Sequence, residues 1–293
     1  MPEITTHLEG LGFPEGPVEL VDGRIAFVDL RDRNLRYYDP VGGGVETVAE
    51  FPGSPNGLRL GPDGALYVAN NGGVWPMPDG TLRFAEPQHP GAVHRVDVAT
   101  GEWAEYIVGL DLVAASGDFG DGPLRPNDLV FDADGTVYFT DPRNWEVIPD
   151  FERFETGRIY AVTPDGRARV VATADGFCNG LAFHPDGSLL VGLSYANRVV
   201  RFARRPDGGF DPAEDWAVLD EHMAPDGMII AGDRLIVTGS RGDEVQVLDL
   251  SGQVLERVPL GAGSDPTNVC VAHGRVWVTL GYPGTLVSWT WEG

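Results

Sequence analysis

The chain has 293 residues, of which 42% are hydrophobic, so it is long and apolar enough for one large domain with a sizeable core. Its formal net charge of −23 argues against nucleic acid and anionic membranes as partners, because both are bound through clustered Lys and Arg side chains, and the sequence has no such cluster. The 40 Gly and 23 Pro residues recur at regular turns, which predicts many short strands and an all-β fold.

The N-terminus, Met1 to His7, has no basic start and leads into no apolar run of signal-peptide length. No later stretch is apolar for long enough to predict a membrane-spanning segment. We therefore expect a cytoplasmic protein. Cys178 and Cys270 each stand beside apolar residues, and we interpret them as reduced core residues rather than as a disulfide.

In chain order, one pattern occurs six times: a polar residue in an opening loop, a short strand, a tight turn and an alternating strand. The Asp-Gly pairs at Asp63-Gly64, Asp134-Gly135 and Asp186-Gly187 supply the positive φ that such tight turns need. The polar residues of the six opening loops, which we call the axial residues, are Glu15, Asn56, Asn127, Asn179, Asp226 and Asn268.

Further strands complete the units. Pairs of alternating segments follow at residues 92–97 with 102–107, 157–162 with 168–172, and 244–249 with 254–259. Four-stranded units repeated at about 40 to 50 residues are typical of a β-propeller, in which each blade buries its faces against its neighbours. We therefore predict a single domain over residues 1–293, a six-bladed propeller of antiparallel blades.

The two ends of the chain complement each other. The sixth unit lacks its last strand, whereas residues 4–9 form a strand without a partner. We expect the N-terminal strand to complete the last blade and close the ring. Three insertions, at residues 70–90, 110–125 and 144–156, are predicted to shape one rim of a pocket, since insertions in propellers fall in loops at one face.

The axial residues should converge on the central channel, one from each blade. Carboxylates and amides without thiolates or imidazoles are hard oxygen ligands, which suit Ca²⁺, Mg²⁺ or Mn²⁺. Asn and Asp before Gly also form Asx-turns, and a repeat would copy such a turn to every blade. Glu15 and Asp226 depart from the Asn consensus, and buried carboxylates are costly unless a cation or hydrogen bonds compensate them, which favours the metal hypothesis.

Four motifs stand in order along the chain: Glu15-Gly-Pro-Val18, Arg125-Pro-Asn-Asp128, Asn179-Gly-Leu-Ala-Phe183 and Pro225-Asp-Gly-Met228. In sequence, order and spacing they resemble the marker motifs of the gluconolactonase and regucalcin (senescence marker protein) family. The resemblance extends from about Gly12 to Tyr282. It implies a six-bladed propeller with one divalent metal at the axis, Ca²⁺ foremost and Mg²⁺, Mn²⁺ or Zn²⁺ as alternatives, used by most members to hydrolyse lactones.

By match of motif, the resemblance implies Glu15, Asn179 and Asp226 as metal ligands. It also implies that Asn127 binds the metal directly or through water and faces the substrate, and that Arg125 holds substrate oxygens through its planar fork. Asp141 ends the central strand of the third unit near the expected pocket. It is either a further substrate contact or part of an Asp-Pro turn.

The resemblance therefore predicts a metal-dependent hydrolase that opens a small, sugar-type lactone. Asp226 is the candidate general base, since it could reach both metal and water. One alternative is another metal-dependent enzyme on the same site, a phosphotriesterase or a sugar-acid isomerase or lyase, because fold does not determine reaction. A second is a non-catalytic binding propeller, which would need no inward Glu15, Asp226 and Arg125. The sequence shows no Gly-x-Ser-x-Gly nucleophile motif.

Overall fold

The structure, a computed structural model, describes residues 2–79, 81–108, 124–143, 145, 156–164 and 167–293. Over these ranges the chain forms strands, turns and one 3-10 turn, Ser194–Ala196. The predicted all-β class is confirmed. The predicted insertion at residues 110–125 lies outside the described residues except for its last two, and the insertion at residues 144–156 lies outside them except for Trp145 and Thr156.

The strands pair into six four-stranded antiparallel sheets, which are the predicted blades. Strand β1 (Thr5–Leu8) comes first in the chain and belongs to the sixth blade. The strands of blade one are β2 (Pro14–Glu19), β3 (Ile25–Asp29), β4 (Asn34–Tyr38) and β5 (Val45–Glu50). The strands of blade two are β6 (Pro55–Leu60), β7 (Leu66–Asn70), β10 (Ala92–Val96) and β11 (Trp103–Val108). Between β7 and β10 the chain forms an inserted hairpin of β8 (Val74–Pro76) and β9 (Leu82–Phe84).

The remaining four blades need no inserted strands. The strands of blade three are β12 (Leu129–Phe131), β13 (Val137–Asp141), β14 (Thr156–Val162) and β15 (Ala168–Asp175). Those of blade four are β16 (Cys178–Phe183), β17 (Leu189–Leu193), β18 (Arg198–Phe202) and β19 (Glu214–Val218). Those of blade five are β20 (Pro225–Ala231), β21 (Arg234–Gly239), β22 (Glu244–Asp249) and β23 (Val254–Pro259). Blade six consists of β1 with β24 (Pro266–Ala272), β25 (Arg275–Leu280) and β26 (Thr285–Thr290).

The ring closes as predicted. Strand β1 pairs antiparallel with β26, with Thr5 opposite Ser288, and forms the outer edge of blade six. His7 adds a side-chain bond from Nε2 to Ser288 Oγ at 2.7 Å. Blade six therefore combines the two ends of the described chain.

The core lies between the blades. Leu58, Leu66 and Val68 of blade two are fully buried together with Val28 and Leu35 of blade one. Because both faces of each blade are covered by its neighbours, inner strands such as β3 and β7 are buried at every residue. Cys178 and Cys270 are both buried and free, which confirms their interpretation as core thiols.

A break in strand register occurs at the axis in five blades. The innermost strand shifts its pairing between Pro55 and Leu58, between Cys178 and Leu181, and between Pro225 and Met228, with corresponding shifts in β2 and β24. Such bulges re-aim side chains next to functional sites. They release Asn56, Asn179 and Asp226 from the ladder.

Glycine follows the axial residue in four blades, for a steric reason. A Cβ on Gly16 would lie 2.6 Å from the backbone nitrogen of Leu58 in the next blade, and one on Gly57 would lie 2.6 Å from Asp128 Cα. A Cβ on Gly180 or Gly227 would collide with the following blade in the same way. The repeated glycine thus allows neighbouring innermost strands to approach closely around the axis.

Candidate functional site

Five axial residues line one cavity of about 490 Å³: Glu15, Asn56, Asn127, Asn179 and Asp226. They come from five different blades, and their bulged or irregular backbone turns each side chain out of its strand. The four predicted metal ligands are therefore brought together. Asn268, the sixth axial residue, is buried and does not line the described part of the cavity.

Glu15 is a buried carboxylate, Asp226 is a half-buried one, and the two interact electrostatically. Burial raises the pKa of Asp226 well above its usual range, and the charges of Glu15 and Asp265 add to this rise. Burial also raises the pKa of Glu15, and the charge of Asp128 adds to it. Two carboxylates held this close in a buried site favour binding of a cation, because an opposite charge would relieve their repulsion.

Asn179 is oriented by a hydrogen-bond chain. Its amide nitrogen donates to Ser194 Oγ at 3.1 Å, and Ser194 Oγ donates to the carbonyl of Pro225 at 2.8 Å. The amide oxygen of Asn179 takes no part in these bonds. Ser194 also lines the cavity. Sequence reasoning missed this supporting role of Ser194, which follows from its position directly after β17 in the same blade.

Beneath the axial residues, Asp128 forms an ion pair with Arg59. Arg59 Nη2 lies 3.3 Å from Asp128 Oδ2, and the two side chains are 14% and 1% exposed. Arg59 also donates to the carbonyl of Met228. Neither residue lines the described part of the cavity, so this pair neutralises one carboxylate within the ring and leaves Glu15 and Asp226 facing the open space.

One wall of the cavity is aromatic. Trp145 and Phe177 pack edge to face with ring centroids 5.4 Å apart, and Phe177 packs in the same way on Tyr195 at 5.7 Å. All three rings line the cavity. Such a surface excludes water from one side of a bound molecule.

Another part of the cavity lining is polar, and sequence reasoning missed it. Arg241, Asp265 and Tyr282 line the cavity there. Burial raises the pKa of Asp265 to about 7, the charge of Asp243 adds to the rise, and the Tyr282 N–H and the Arg241 guanidinium oppose it. These residues lie in loops after strands of blades five and six, outside the repeated motif, so no sequence signal distinguished them.

The β8–β9 hairpin covers part of the cavity. Pro76, Pro78 and Asp79 at its tip line the cavity, and Tyr282 Oη of blade six donates to the carbonyl of Met77 at 3.2 Å. The hairpin therefore extends from blade two past blade one to blade six. This confirms that the insertion at residues 70–90 shapes the rim.

Arg125 and Asp141 are buried side by side in blade three. The backbone N–H groups of Arg125 and Arg143 donate to Asp141 Oδ1 at 3.3 and 2.8 Å. Arg125 Nη1 donates to the carbonyl of Asn71 at 3.0 Å. Neither residue is among the described residues that line the cavity, so their contact with substrate stays a prediction. The bonds of Asp141 show that it stabilises its own turn, which was the alternative interpretation.

The donor set fits a hard divalent cation. Two carboxylates and the amides of Asn127 and Asn179 offer the oxygen ligands that Ca²⁺, Mg²⁺ and Mn²⁺ prefer. Within the described ranges no His or Cys lines the cavity, and no three His, Cys, Asp or Glu side chains cluster closely enough to hold a metal by themselves. Any metal held here would therefore depend on the neutral amides as well as on Glu15 and Asp226, a composition less suited to Zn²⁺.

Among the described residues, no helix has the length and apolarity that crossing a membrane requires.

Comparison with known proteins gives a family match over nearly the whole chain. A family model described as "SMP-30/Gluconolactonase/LRE-like region" matches residues 13–281. A Zymomonas mobilis gluconolactonase is 30% identical over 143 residues, which are 47% of this chain and 33% of that protein. The match thus spans about a third of the length of that relative.

Solved structures share the fold along the full chain. A Xanthomonas campestris gluconolactonase is 23% identical with a TM-score of 0.76, covering 99% of this chain and 89% of that chain. An Agrobacterium tumefaciens calcium-binding protein, regucalcin, is 16% identical with a TM-score of 0.74, covering 99% and 93%. A luciferin-regenerating enzyme is 15% identical with a TM-score of 0.77, covering 100% and 96%. At these identities, the similarity establishes the fold alone.

Proposed function

Since the chain belongs to the SMP-30/gluconolactonase/LRE-like family, we propose that it is a divalent-metal-dependent hydrolase that opens a small, sugar-type lactone to the hydroxy acid. The observation that carries the proposal is the convergence of Glu15, Asn127, Asn179 and Asp226 on one cavity. A propeller that serves only as a binding scaffold has no need to bury two mutually repelling carboxylates at its axis.

In this proposal the metal is held by Glu15, Asn179 and Asp226, with Asn127 bound directly or through water. The chemistry supplied by a bound cation is Lewis-acid polarisation of the lactone carbonyl. Asp226 accepts the proton of the attacking water and returns it to the ring oxygen as the lactone C–O bond breaks, which yields the hydroxy acid, and Asn127 contacts the substrate. Ser194 keeps Asn179 oriented through its 3.1 Å bond. The aromatic wall formed by Trp145, Phe177 and Tyr195 limits the access of bulk water.

The charge of the cavity favours a neutral substrate. Among the described lining residues, Glu15, Asp79, Asp226 and Asp265 are acidic, and Arg241 is the one cation. A divalent ion would offset two of the four carboxylates, so the site would still not attract anions. This supports a neutral lactone over an anionic sugar acid, the substrate of an isomerase or lyase. It also favours release of the product, which is an anion.

The test measures the hydrolysis of a panel of aldonolactones by the acid that is released. The rates are compared after chelation and after refilling with Ca²⁺, Mg²⁺, Mn²⁺ or Zn²⁺. We expect activity to disappear on chelation and to return with a hard cation. Asp226→Asn should lose about 10²- to 10⁴-fold in kcat, because general-base assistance is of that size.

Asp211→Asn, at an exposed aspartate, is the matched control and should keep wild-type rates. If Asp226→Asn kept near-native turnover with metal bound, the assignment of Asp226 as the base would be wrong. Equal rates with and without chelator would contradict metal dependence, and absence of hydrolysis across the panel would contradict the lactonase proposal.

A further inference from the structure

Asp265 is a buried carboxylate with an unsatisfied oxygen. The residue is 7% exposed, and its Oδ2 has no hydrogen-bond partner in the part of the chain that the structure describes. The side chain lines the cavity on the side of blade six. Buried polar atoms in native proteins nearly always have a partner, so an unpartnered carboxylate oxygen at a cavity wall calls for a ligand.

The loop that carries Asp265 is organised around a second carboxylate. Asp243 accepts hydrogen bonds from the backbone N–H of Gly263 at 2.7 Å, from the N–H of Asp265 at 3.0 Å, and from Ser264 Oγ at 3.3 Å. Asp265 itself has a φ of +46°, in the left-handed region. A non-glycine residue in that conformation is strained, and it persists only when its surroundings hold it there. The fold thus keeps Asp265 in place although its backbone is strained and its carboxylate is buried.

The surroundings of Asp265 favour a hydroxyl group as its ligand. The Arg241 guanidinium acts electrostatically on Asp265 and lies 5.2 Å from the ring centre of Tyr195. A substrate anion would be repelled by Asp265 and by the other carboxylates that line the cavity, Glu15, Asp79 and Asp226. A neutral hydroxyl can donate a hydrogen bond to Asp265 without this penalty, and it belongs to the neutral substrate proposed above.

We propose that Asp265 is a specificity-determining residue, which accepts a hydrogen bond from a substrate hydroxyl. The enzyme would therefore select hydroxylated lactones over unsubstituted ones. This inference rests on the proposed lactonase function and deepens it. Asp265 is not one of the axial residues, although it lines the same cavity and its charge acts on Asp226 and Glu15.

Two substitutions test the role of Asp265. Asp265→Gly removes the carboxylate and suits the positive φ, since glycine adopts the left-handed region without strain. Asp265→Asn keeps the shape and removes the charge. The measurement is the ratio of kcat/KM for D-glucono-1,5-lactone to that for δ-valerolactone, together with Tm. Asp211→Asn serves again as the exposed control.

We expect Asp265→Gly to lower this ratio by about 10- to 100-fold, the usual worth of a hydrogen bond to a charged group, and Asp265→Asn to lower it less. The Tm of Asp265→Gly should stay close to that of the wild type, because glycine relieves the strain at the positive φ and removes the oxygen without a partner, which offsets the loss of the bond from the Tyr282 N–H. An unchanged ratio in a folded Asp265→Gly protein would overturn the proposal. So would a lowered Tm with equal losses on both lactones, which would indicate a structural role.

A binding measurement separates this proposal from the proposed function. D-glucitol has the hydroxyls of a sugar-type substrate and no bond to hydrolyse, so its calorimetric titration needs no activity. Weaker binding to Asp265→Gly than to the wild type would support the subsite even if the wild type hydrolysed no lactone. Equal binding by the two proteins, or absence of binding to the wild type, would overturn it.

Discussion

Three of the axial side chains reach the cavity because their backbone leaves the strand ladder at those residues. Asn56, Asn179 and Asp226 lie within register breaks, and the glycine that follows each one packs against the next blade. In the sequence, the Asn-Gly and Asp-Gly pairs could be explained by Asx-turns. In the structure, glycine is required because the neighbouring blade leaves no room for a Cβ atom. A larger side chain there would separate the innermost strands.

A buried histidine makes stability depend on pH. His94 is 1% exposed, its Nε2 bonds to Asn70 Nδ2 at 3.2 Å, and burial lowers its pKa to about 4. Below its ordinary pKa of 6.5, the unfolded chain binds a proton that the folded protein does not. Stability should therefore fall as pH decreases from 6.5 to about 4, by about 3 kcal/mol, since each pKa unit corresponds to about 1.4 kcal/mol.

His94→Phe tests this expectation, because the ring keeps its packing on Phe51 and Trp103 and no longer titrates. Urea unfolding between pH 4 and pH 7 should show a flatter pH dependence for the variant than for the wild type. His222→Asn, at an exposed histidine, reports the effect of removing a histidine from the surface. Parallel curves for His94→Phe and wild type would contradict the expectation.

Among the elements, the β8–β9 hairpin does most to define the cavity. One end of it packs in the cluster of Val74 and Leu82 with Trp145 and Phe177, and its tip bonds to Tyr282 in blade six. It is thereby attached on two sides of the opening. These contacts fix the position of the hairpin. The position of the hairpin determines the size of the opening and therefore the size of the substrate that can enter.

Tyr282→Phe should loosen the tip of the hairpin. The substitution removes the donor to the carbonyl of Met77 and keeps the edge-to-face contact of the ring with Phe13. A neutral hydrogen bond contributes about 1 kcal/mol, so we expect about fivefold faster amide exchange in residues 74–84. Hydrogen exchange measured by mass spectrometry provides the readout, and a rise in KM larger than the change in kcat should accompany it. Unchanged exchange in this segment would show that the aromatic cluster alone holds the hairpin.

At the scale of the whole molecule, the ring depends on β1. This strand covers the edge of β26, and Arg275 Nη2 of blade six donates to Thr5 Oγ1 at 3.0 Å. His7 stacks against Trp277 with ring centres 4.4 Å apart. Without β1, blade six would have three strands and an unpaired edge, which favours aggregation.

Deletion of residues 2–8 tests the closure. The deletion removes three side-chain hydrogen bonds, those of His7 to Tyr38 and Ser288 and that of Arg275 to Thr5, as well as the ladder between β1 and β26. At about 1 kcal/mol for each side-chain bond, we expect Tm to fall by at least about 6 to 10 °C. Differential scanning fluorimetry and light scattering measure the two effects. Removal of Glu292 and Gly293, which follow β26 and pair with no described strand, is the control. If the truncated protein had the same Tm and the same light scattering as the wild type, the ring would be stable without its closing strand.

The sequence by itself determined the number of blades, the closing strand and the axial residues. Each depends on a local pattern copied along the chain, and local patterns such as an Asn-Gly before an alternating strand can be read without knowledge of distant contacts. The family motifs at Glu15, Asn179 and Asp226 identified the cavity residues for the same reason.

Only the tertiary structure decided which other residues face the cavity. Arg241, Asp265 and Tyr282 lie in loops without a repeated pattern, and they become neighbours of the axial carboxylates only when the ring closes. The bond from Tyr282 to Met77 joins residues 205 positions apart. The sequence predicts that Arg125 and Asp141 contact the substrate, and the structure adds that Arg125 donates to the carbonyl of Asn71 and to Gln88 Oε1 while Asp141 accepts from two backbone N–H groups. Contacts of this range are set by packing between blades, which no local pattern encodes.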